Sequence, residues 1–377
     1  MFKITGGLAA TAITIGSLLS VTLSAESNAK SGAVFVMTNA ATKNEVIAFE
    51  RSANGSLTER ERYDTQGRGS SGVTDPLGSQ GSLTLSQDHS LLFAVNAGSG
   101  NISVFGVRRS TLAFLDKVPS GGSEPVAVAE HQNLLYVLNA GAAGSLVGFT
   151  LDFGGHLKQI KDSTTLLTAA ASGGASLAFS PDGQFLVATE KIPNNIDVFR
   201  VNPDGTLGPI VVNPDADPGI FSVSFALNGT LIASETGTPG VTNTATISSY
   251  SIPTSGKLVP VSENVPTLGA ANCWNAITPD GRFVYVSNAG TASISGFEIG
   301  KNGSLTPISR TIVGNNPQGS TNLDIAISSD GKFVYTLNSG SGDIGVFEVE
   351  SDGTLNNLGT AGQFPKSDEL SKERSLG

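Results

Sequence analysis

Two glutamates, Glu190 and Glu235, close the apolar segments FLVATE and LIASE, where most similar segments of this chain close with Asn. Paired carboxyls at one rim could supply a general base and a general acid if their surroundings push their pKa values apart. They could also take up Ca²⁺ together with Asn and carbonyl oxygens; no other cofactor or metal is expected. A second set is the tetrapeptide NCWN, residues 272–275, which holds the only Cys and the only Trp of the chain. Cys273 lacks a neighbouring His to make its thiolate, so a small buried residue is expected there rather than a nucleophile. Trp274 and Asn275 remain, with Asp324 in the following repeat.

These residues sit on a repeating scaffold. SPDGQFLVATE (180–190), TPDGRFVYVSN (278–288) and SSDGKFVYTLN (328–338) are copies of one unit, with looser copies SQDHSLLFAVN (86–96), AEHQNLLYVLN (129–139) and ALNGTLIASE (226–235), and a truncated one in GAVFVMTN (32–39). Each reads as a tight turn leading into an apolar strand. Asp-Gly and Asn-Gly suit such turns because Gly accepts positive φ without steric cost. An aliphatic-x-x-aromatic element follows every copy, as in Ile102–Phe105, Ile196–Phe199 and Ile344–Phe347, and then a turn and a Leu. The period is about 50 residues, which is four short strands per unit. Seven units predict an all-β, seven-bladed β-propeller of four-stranded antiparallel blades over residues 30–363, with a polar tail at 364–377. The first unit begins at its second strand, so its innermost strand has to come from elsewhere. The segment after Leu355 would have to supply it, and that tail is polar.

The recurring PDG turn, the apolar strand ending in Asn, Ile-x-x-Phe and Gly-x-Leu resemble the lactonase family of seven-bladed propellers, which includes 6-phosphogluconolactonase and carboxymuconate cyclase types. The resemblance implies a lactone hydrolase or cyclase-type enzyme. It also implies an acid–base His beside Arg at the start of an inner strand; the matching places here read GGAS (173–176) and NCWN. Family lactonases carry Asn-Glu where this chain has Glu190 and Lys191.

In a propeller, the loops between second and third strands and between successive blades surround the channel mouth. Aligning the inner strands on Thr278 places Ser82, Pro125, Ser176, Ser222, Trp274 and Asp324 at one position. Trp274 and Asp324 are outsized there. The next position is apolar (Leu83, Val126, Leu177, Val223, Ile325) except for Asn275, an amide that needs partners if buried. The expected site therefore has Glu190 and Glu235 as acid–base groups, and Trp274, Asn275, Asp324, Arg68, Lys191 and Asn288 as ligand-binding groups. Loops 64–80 and 236–246 are long enough to cover it. His89, His131 and His156 fall in turns on the opposite face.

The net charge of −10 disfavours nucleic acid and anionic membranes as partners. Few basic residues ring the mouth, which disfavours a phosphorylated substrate. Lys3, the uncharged run 4–23 and the small residues Ser27-Asn28-Ala29 predict a secretory signal over 1–29, hence a secreted or periplasmic monomer. Two functions fit: a hydrolase or cyclase acting on a small sugar or aromatic lactone, or a non-catalytic propeller binding a small ligand or a protein at the same face.

Overall fold

The computed structural model describes residues 32–71, 77–239, 241 and 243–364. The expected signal segment lies outside them, as does all of the tail but Phe364. The described residues form seven small antiparallel sheets in a ring, without a helix: a seven-bladed β-propeller.

Blade 1 contains β1 (Gly32–Met37), β2 (Glu45–Arg51) and β3 (Leu57–Asp64). Blade 2 contains β4 (Leu83–Leu85), β5 (Leu91–Asn96), β6 (Asn101–Arg108) and β7 (Thr111–Pro119). Blade 3 contains β8 (Pro125–His131), β9 (Leu134–Asn139) and β10 (Ser145–Leu151), with its outer edge split into β11 (Leu157–Gln159) and β12 (Thr165–Leu166). Blade 4 contains β13 (Gly174–Phe179), β14 (Phe185–Glu190), β15 (Asn195–Arg200) and β16 (Val211–Pro214). Blade 5 contains β17 (Ile220–Phe225), β18 (Leu231–Glu235), β19 (Thr246–Ser251) and β20 (Val259–Pro266). Blade 6 contains β21 (Asn272–Ile277), β22 (Phe283–Asn288), β23 (Ser293–Ile299) and β24 (Leu305–Asn315). Blade 7 contains β25 (Asn322–Ile327), β26 (Phe333–Asn338), β27 (Asp343–Val349) and β28 (Leu355–Ala361).

The repeated apolar residues are the inter-blade core. Phe105, Phe149, Phe199, Phe297 and Phe347, the aromatics that end each Ile-x-x-Phe element, are almost wholly buried. In blades 2 to 7 the second strand is paired on both edges, with both faces against neighbouring blades, whereas β1, its counterpart in blade 1, pairs only with β2 among the described residues. β14, β22 and β26 accordingly read as fully buried runs. The chain is carried from blade to blade on one face, where each outgoing loop bonds to a turn of the blade it leaves: Ser120 N to Gly100 O, Thr267 N to Ala245 O and Asn316 N to Ala292 O. These loops and turns are the channel mouth.

One register differs from the sequence alignment. Val128, not Val126, faces Val137 in blade 3, the place that Ile325 holds opposite Thr336 in blade 7. The hairpin from β8 to β9 closes on Gln132-Asn133 alone, where the Asp-Gly blades use a longer turn, so β8 runs two residues further and His131 pairs with Leu134 as part of the strand. Ala127 rather than Pro125 therefore lies level with Trp274.

Candidate functional site at the channel mouth

The NCWN segment is β21's mouth end. Trp274 is 2% exposed, packs edge-on against Phe221 of blade 5 at 5.1 Å, and donates its indole N–H to the carbonyl of Ser79 at 2.9 Å. That carbonyl belongs to the loop leading into blade 2, which turns inward and crosses the channel. Gln80 N bonds to Ala175 O in blade 4, and Ser79 Oγ to Val126 O in blade 3. The Gln80 side chain accepts from Asn275 N at 3.0 Å and donates to Asn275 O at 3.2 Å, as a strand neighbour would. Lys191 donates to Gly78 O at 2.6 Å, with its ammonium 5.2 Å above the Phe221 ring. Residues 78–80 thus tie blades 3, 4 and 6 together across the axis.

Asn275 is 2% exposed. Its amide nitrogen donates to Ser222 Oγ at 3.1 Å and Ser234 Oγ at 2.8 Å, and its oxygen accepts from Ser224 Oγ. Three serines of blade 5 satisfy the amide that breaks the apolar pattern. Asp324 is half-buried at the mouth end of β25, and its Oδ1 accepts from Ile325 N. It lines a cavity of about 550 Å³ that also reaches Gln80 and Thr84. Arg68 is exposed on the rim, its backbone bonded to Ser99.

The strand-end ring is internal. Asn288 is fully buried and donates to Ser293 and Ser295. Asn96 does the same to Asn101 and Ser103, while accepting from Thr65 and Asn44. A Cβ at Gly269 would overlap the Asn288 amide, and glycine there lets the loop lie directly on it. In blade 4 both members of this pair are replaced. Glu190 stands for the Asn and Asp197 for the Ser, and both are fully buried. Burial, a hydrogen bond to Glu190 and the Glu190 charge push the Asp197 carboxyl up to about 9. Burial alone would raise Glu190 too, but hydrogen bonds from Asp197, Ser172 and Thr168 outweigh it and hold it below the ordinary range. The pair therefore keeps one proton at neutral pH, with Asp197 as donor and Glu190 accepting also from Thr168 N at 3.0 Å.

Glu235 is likewise 0% exposed, and its Oε2 accepts from Thr246 Oγ1 at 3.1 Å. Burial and the nearby charges of Asp215 and Asp217 raise its pKa well above the usual value. Asp215 is itself pushed up to about 6, mainly by burial, although Tyr250 donates to it at 2.9 Å. The two glutamates thus answer to different neighbours, Glu190 to the loop into blade 4 and Glu235 to the loop into blade 5. Among the described residues, no group of three or more His, Cys, Asp or Glu is arranged to hold a metal ion.

Sequence reasoning missed Asp197. The signal was present: it is the only charged second residue among the seven aliphatic-x-x-aromatic elements, and it lies seven residues after Glu190, as Ser103 follows Asn96 and Ser295 follows Asn288. The role of residues 78–80 carried no such signal, because nothing in a polar loop states that it turns into the channel.

The family model described as Lactonase, 7-bladed beta-propeller, matches residues 232–322, from β18 to the start of β25. The resemblance read from the repeats is borne out. Among solved structures, a candidate 6-phosphogluconolactonase of Bacteroides uniformis is 20% identical, with a TM-score of 0.68 over 87% of this chain and 95% of that one. The periplasmic gluconolactonase PpgL of Pseudomonas aeruginosa is 19% identical, with a TM-score of 0.66 over 92% of this chain and 99% of that one. A functionally unknown protein of Desulfotomaculum acetoxidans is 21% identical, with a TM-score of 0.59 over 73% of this chain and 80% of that one. At such identities the likeness is one of fold. No curated protein matches the chain.

Proposed function

We propose that this lactonase-type propeller is exported and hydrolyses a small lactone, an uncharged sugar or aromatic one, at its channel mouth. The observation that carries the reading is Asp324, the one carboxylate among the residues lining the described cavity, placed beside Gln80 and one blade from Trp274. A water held by Asp324 would add to the lactone carbonyl carbon as its proton passes to the carboxylate. The same proton would then go to the ring oxygen as the carbon–oxygen bond breaks, leaving a hydroxy acid. Lys191 and Arg68 supply the positive charge near the rim that suits the carboxylate product. In this reading Glu190, Glu235 and Asn288 hold the mouth loops, since none of the three exposes surface, and Trp274 and Asn275 support the wall behind the substrate. The family match and the printed names of the Bacteroides and Pseudomonas proteins support the activity, and the latter also supports the periplasmic setting.

One observation favours a second reading, a non-catalytic propeller that binds a ligand or protein. The amide donors of Asn275 and the indole N–H of Trp274 are all engaged internally. Hydrolysis of a panel of sugar and aromatic lactones followed by pH-stat, with and without Ca²⁺, separates the two. Turnover that falls in Asp324→Asn, and stays within a few-fold in Glu190→Gln/Glu235→Gln, supports the assignment. Turnover lost only in the double variant moves the base to the strand ends. No turnover on any lactone favours the binding module.

A further inference from the structure

In blades 2, 3 and 7 the incoming loop lays one residue on the end of the second strand. Thr65 donates its hydroxyl to Asn96 at 2.7 Å, the Ser120 carbonyl accepts from Asn139 at 3.4 Å, and Asn316 Oδ1 accepts from Asn338 at 3.1 Å. Each contact sets a donor against an acceptor. Asp215 takes this place in blade 5, its N–H bonded to Asn194 O as Thr65 N is to Asn44 O. The strand end that it meets is Glu235. Two carboxylates stand where the other blades have a matched pair.

Neither carboxylate is satisfied. Glu235 is wholly buried and its Oε1 has no hydrogen-bond partner, and the buried Oδ2 of Asp215 has none either. Thr246 and Tyr250 take one oxygen of each. The charges that act most on Glu235 are those of Asp215 and Asp217, yet no hydrogen bond joins Glu235 to Asp215. Among the described residues, no Lys, Arg or His forms an ion pair with any of the three. A buried carboxylate without compensation is costly. Asp217 is engaged by Thr246 and the Asn264 backbone, so two acids and neutral hydroxyls, not three acids, remain at the orphaned oxygens.

We propose that Asp215 and Glu235 bind a Ca²⁺ ion, with the hydroxyls of Thr246 and Ser248 beside them and water completing the shell. Two carboxylates balance its charge. An irregular all-oxygen set suits Ca²⁺, which takes about six to eight oxygens in flexible geometry, better than Mg²⁺, which holds to an octahedron. Asp215 is half-buried between the exposed Pro214 and Ala216, so the ion enters from the mouth. Binding on the order of 10⁻⁴–10⁻³ M, the range of extracellular modules, matches the exported setting proposed above. Blade 4 has no such demand, because Glu190 and Asp197 share a proton and Glu190 also accepts from Thr168 N. The ion has a mechanical consequence. The same incoming loop holds the base of loop 236–246, through Thr236 N to Gly219 O at 2.8 Å and Gly237 N to Pro218 O at 3.1 Å. Joining Asp215 to Glu235 pins that base from both sides.

The test titrates the full exported chain with Tb³⁺, a luminescent ion close to Ca²⁺ in size, excited through Tyr250, which donates to Asp215. Emission should saturate at one ion per chain and be displaced by Ca²⁺. Asp215→Asn should weaken binding at least about ten-fold, and Glu190→Gln should leave it unchanged. Emission that never saturates, or that is the same in Asp215→Asn, overturns the site. The second arm needs no variant. Hydrogen exchange of the parent at neutral pH should show the Thr236 and Gly237 amides exchanging several-fold more slowly in Ca²⁺ than in EDTA, while those of β26 are unchanged. Equal exchange in both overturns the proposal and leaves the two carboxyls to protons. Neither arm depends on whether the protein turns over a lactone.

Discussion

The indole of Trp274 reaches across the channel axis to Ser79, whose carbonyl accepts its N–H at 2.9 Å. The lone tryptophan is thus the post to which the crossing loop is tied, and Gln80 repeats the tie one residue later on the backbone of Asn275. A side chain that reads as a ligand platform in sequence serves here to hold another part of the chain in the channel. Trp274→Phe keeps the ring against Phe221 but leaves the Ser79 carbonyl without its donor. A buried polar group so stranded costs about 1–3 kcal/mol. Urea unfolding should show that loss, and hydrogen exchange should show the Gln80 amide, normally bonded to Ala175, exchanging faster than in the parent.

Asn275 interrupts an apolar stripe and is satisfied by Ser222, Ser224 and Ser234. Replacing it with Leu restores the pattern of the other blades but takes the amide away from Ser224 and Ser234, while Ser222 keeps its bond to the Cys273 carbonyl. Asn275→Leu should destabilise by about 1–3 kcal/mol, because lost partners outweigh the added apolar contact. A double-mutant cycle with Ser234→Ala should give a coupling on the order of 1 kcal/mol. Additive effects would mean that the serines find other partners.

The Glu190–Asp197 pair makes stability depend on pH. The Asp197 carboxyl titrates near its ordinary 3.8 when unfolded and about 9 when folded. Between those values the folded protein keeps a proton that the unfolded chain releases. Stability from this group is therefore fully present below the lower value and falls as pH rises toward the upper one, by at most about 1.4 kcal/mol per pH unit. The depressed Glu190 works oppositely, and only as pH falls through the acid range. Asp197→Asn keeps a donor facing Glu190 without a titrating proton. Its unfolding free energy should be flatter between pH 5 and 8 than that of the parent, and the two curves should converge toward acid. Parallel curves would show that the two carboxyls do not share a proton.

The fold was legible because its signals are local and repeated. Asp-Gly turns, Ile-x-x-Phe and Gly-x-Leu each report one strand, and seven copies leave little freedom of architecture. The blade 3 register was not, because Gln132-Asn133 makes a shorter hairpin than Asp-Gly-x and shifts β8 by two residues. For the site, the sequence picked out the departures Glu190, Glu235, Trp274, Asn275 and Asp324, and all lie toward the mouth end of their strands. It could not say which of them face substrate and which face the protein, since that depends on a loop 195 residues away in sequence from Trp274. Asp324 alone of this set lines the cavity.

That difference predicts how activity should divide. A positioned general base contributes about 10²–10⁴-fold to a rate. Asp324→Asn should therefore lower kcat for a hydrolysed lactone by at least about 100-fold, while Glu190→Gln, whose carboxyl has no exposed surface, should change it only through stability. Steady-state kinetics beside thermal unfolding of each variant checks both. A loss in Asp324→Asn that tracks a fallen Tm would make it a structural residue instead.

The seam between blades 7 and 1 offers the last prediction. At the face away from the mouth, Arg51 Nη2 meets Asp330 Oδ2 at 2.9 Å, and the guanidinium lies 5.3 Å over the Phe333 ring. The Arg51 side chain is 4% exposed and that of Asp330 33%. A fully buried pair costs about 3–5 kcal/mol to break. Here Asp330 retains solvent, Ser328 and the Lys332 N–H, so Arg51→Ala should cost less, on the order of 1–3 kcal/mol, part of it from lost packing on Phe333. Asp330→Asn should cost less still, because it leaves that stacking in place. Urea unfolding at low and high salt separates the terms: the Arg51→Ala deficit should shrink with salt but persist. Complete loss of the deficit at high salt would assign the clamp to charge alone and leave the stacked ring without a share in closing the propeller.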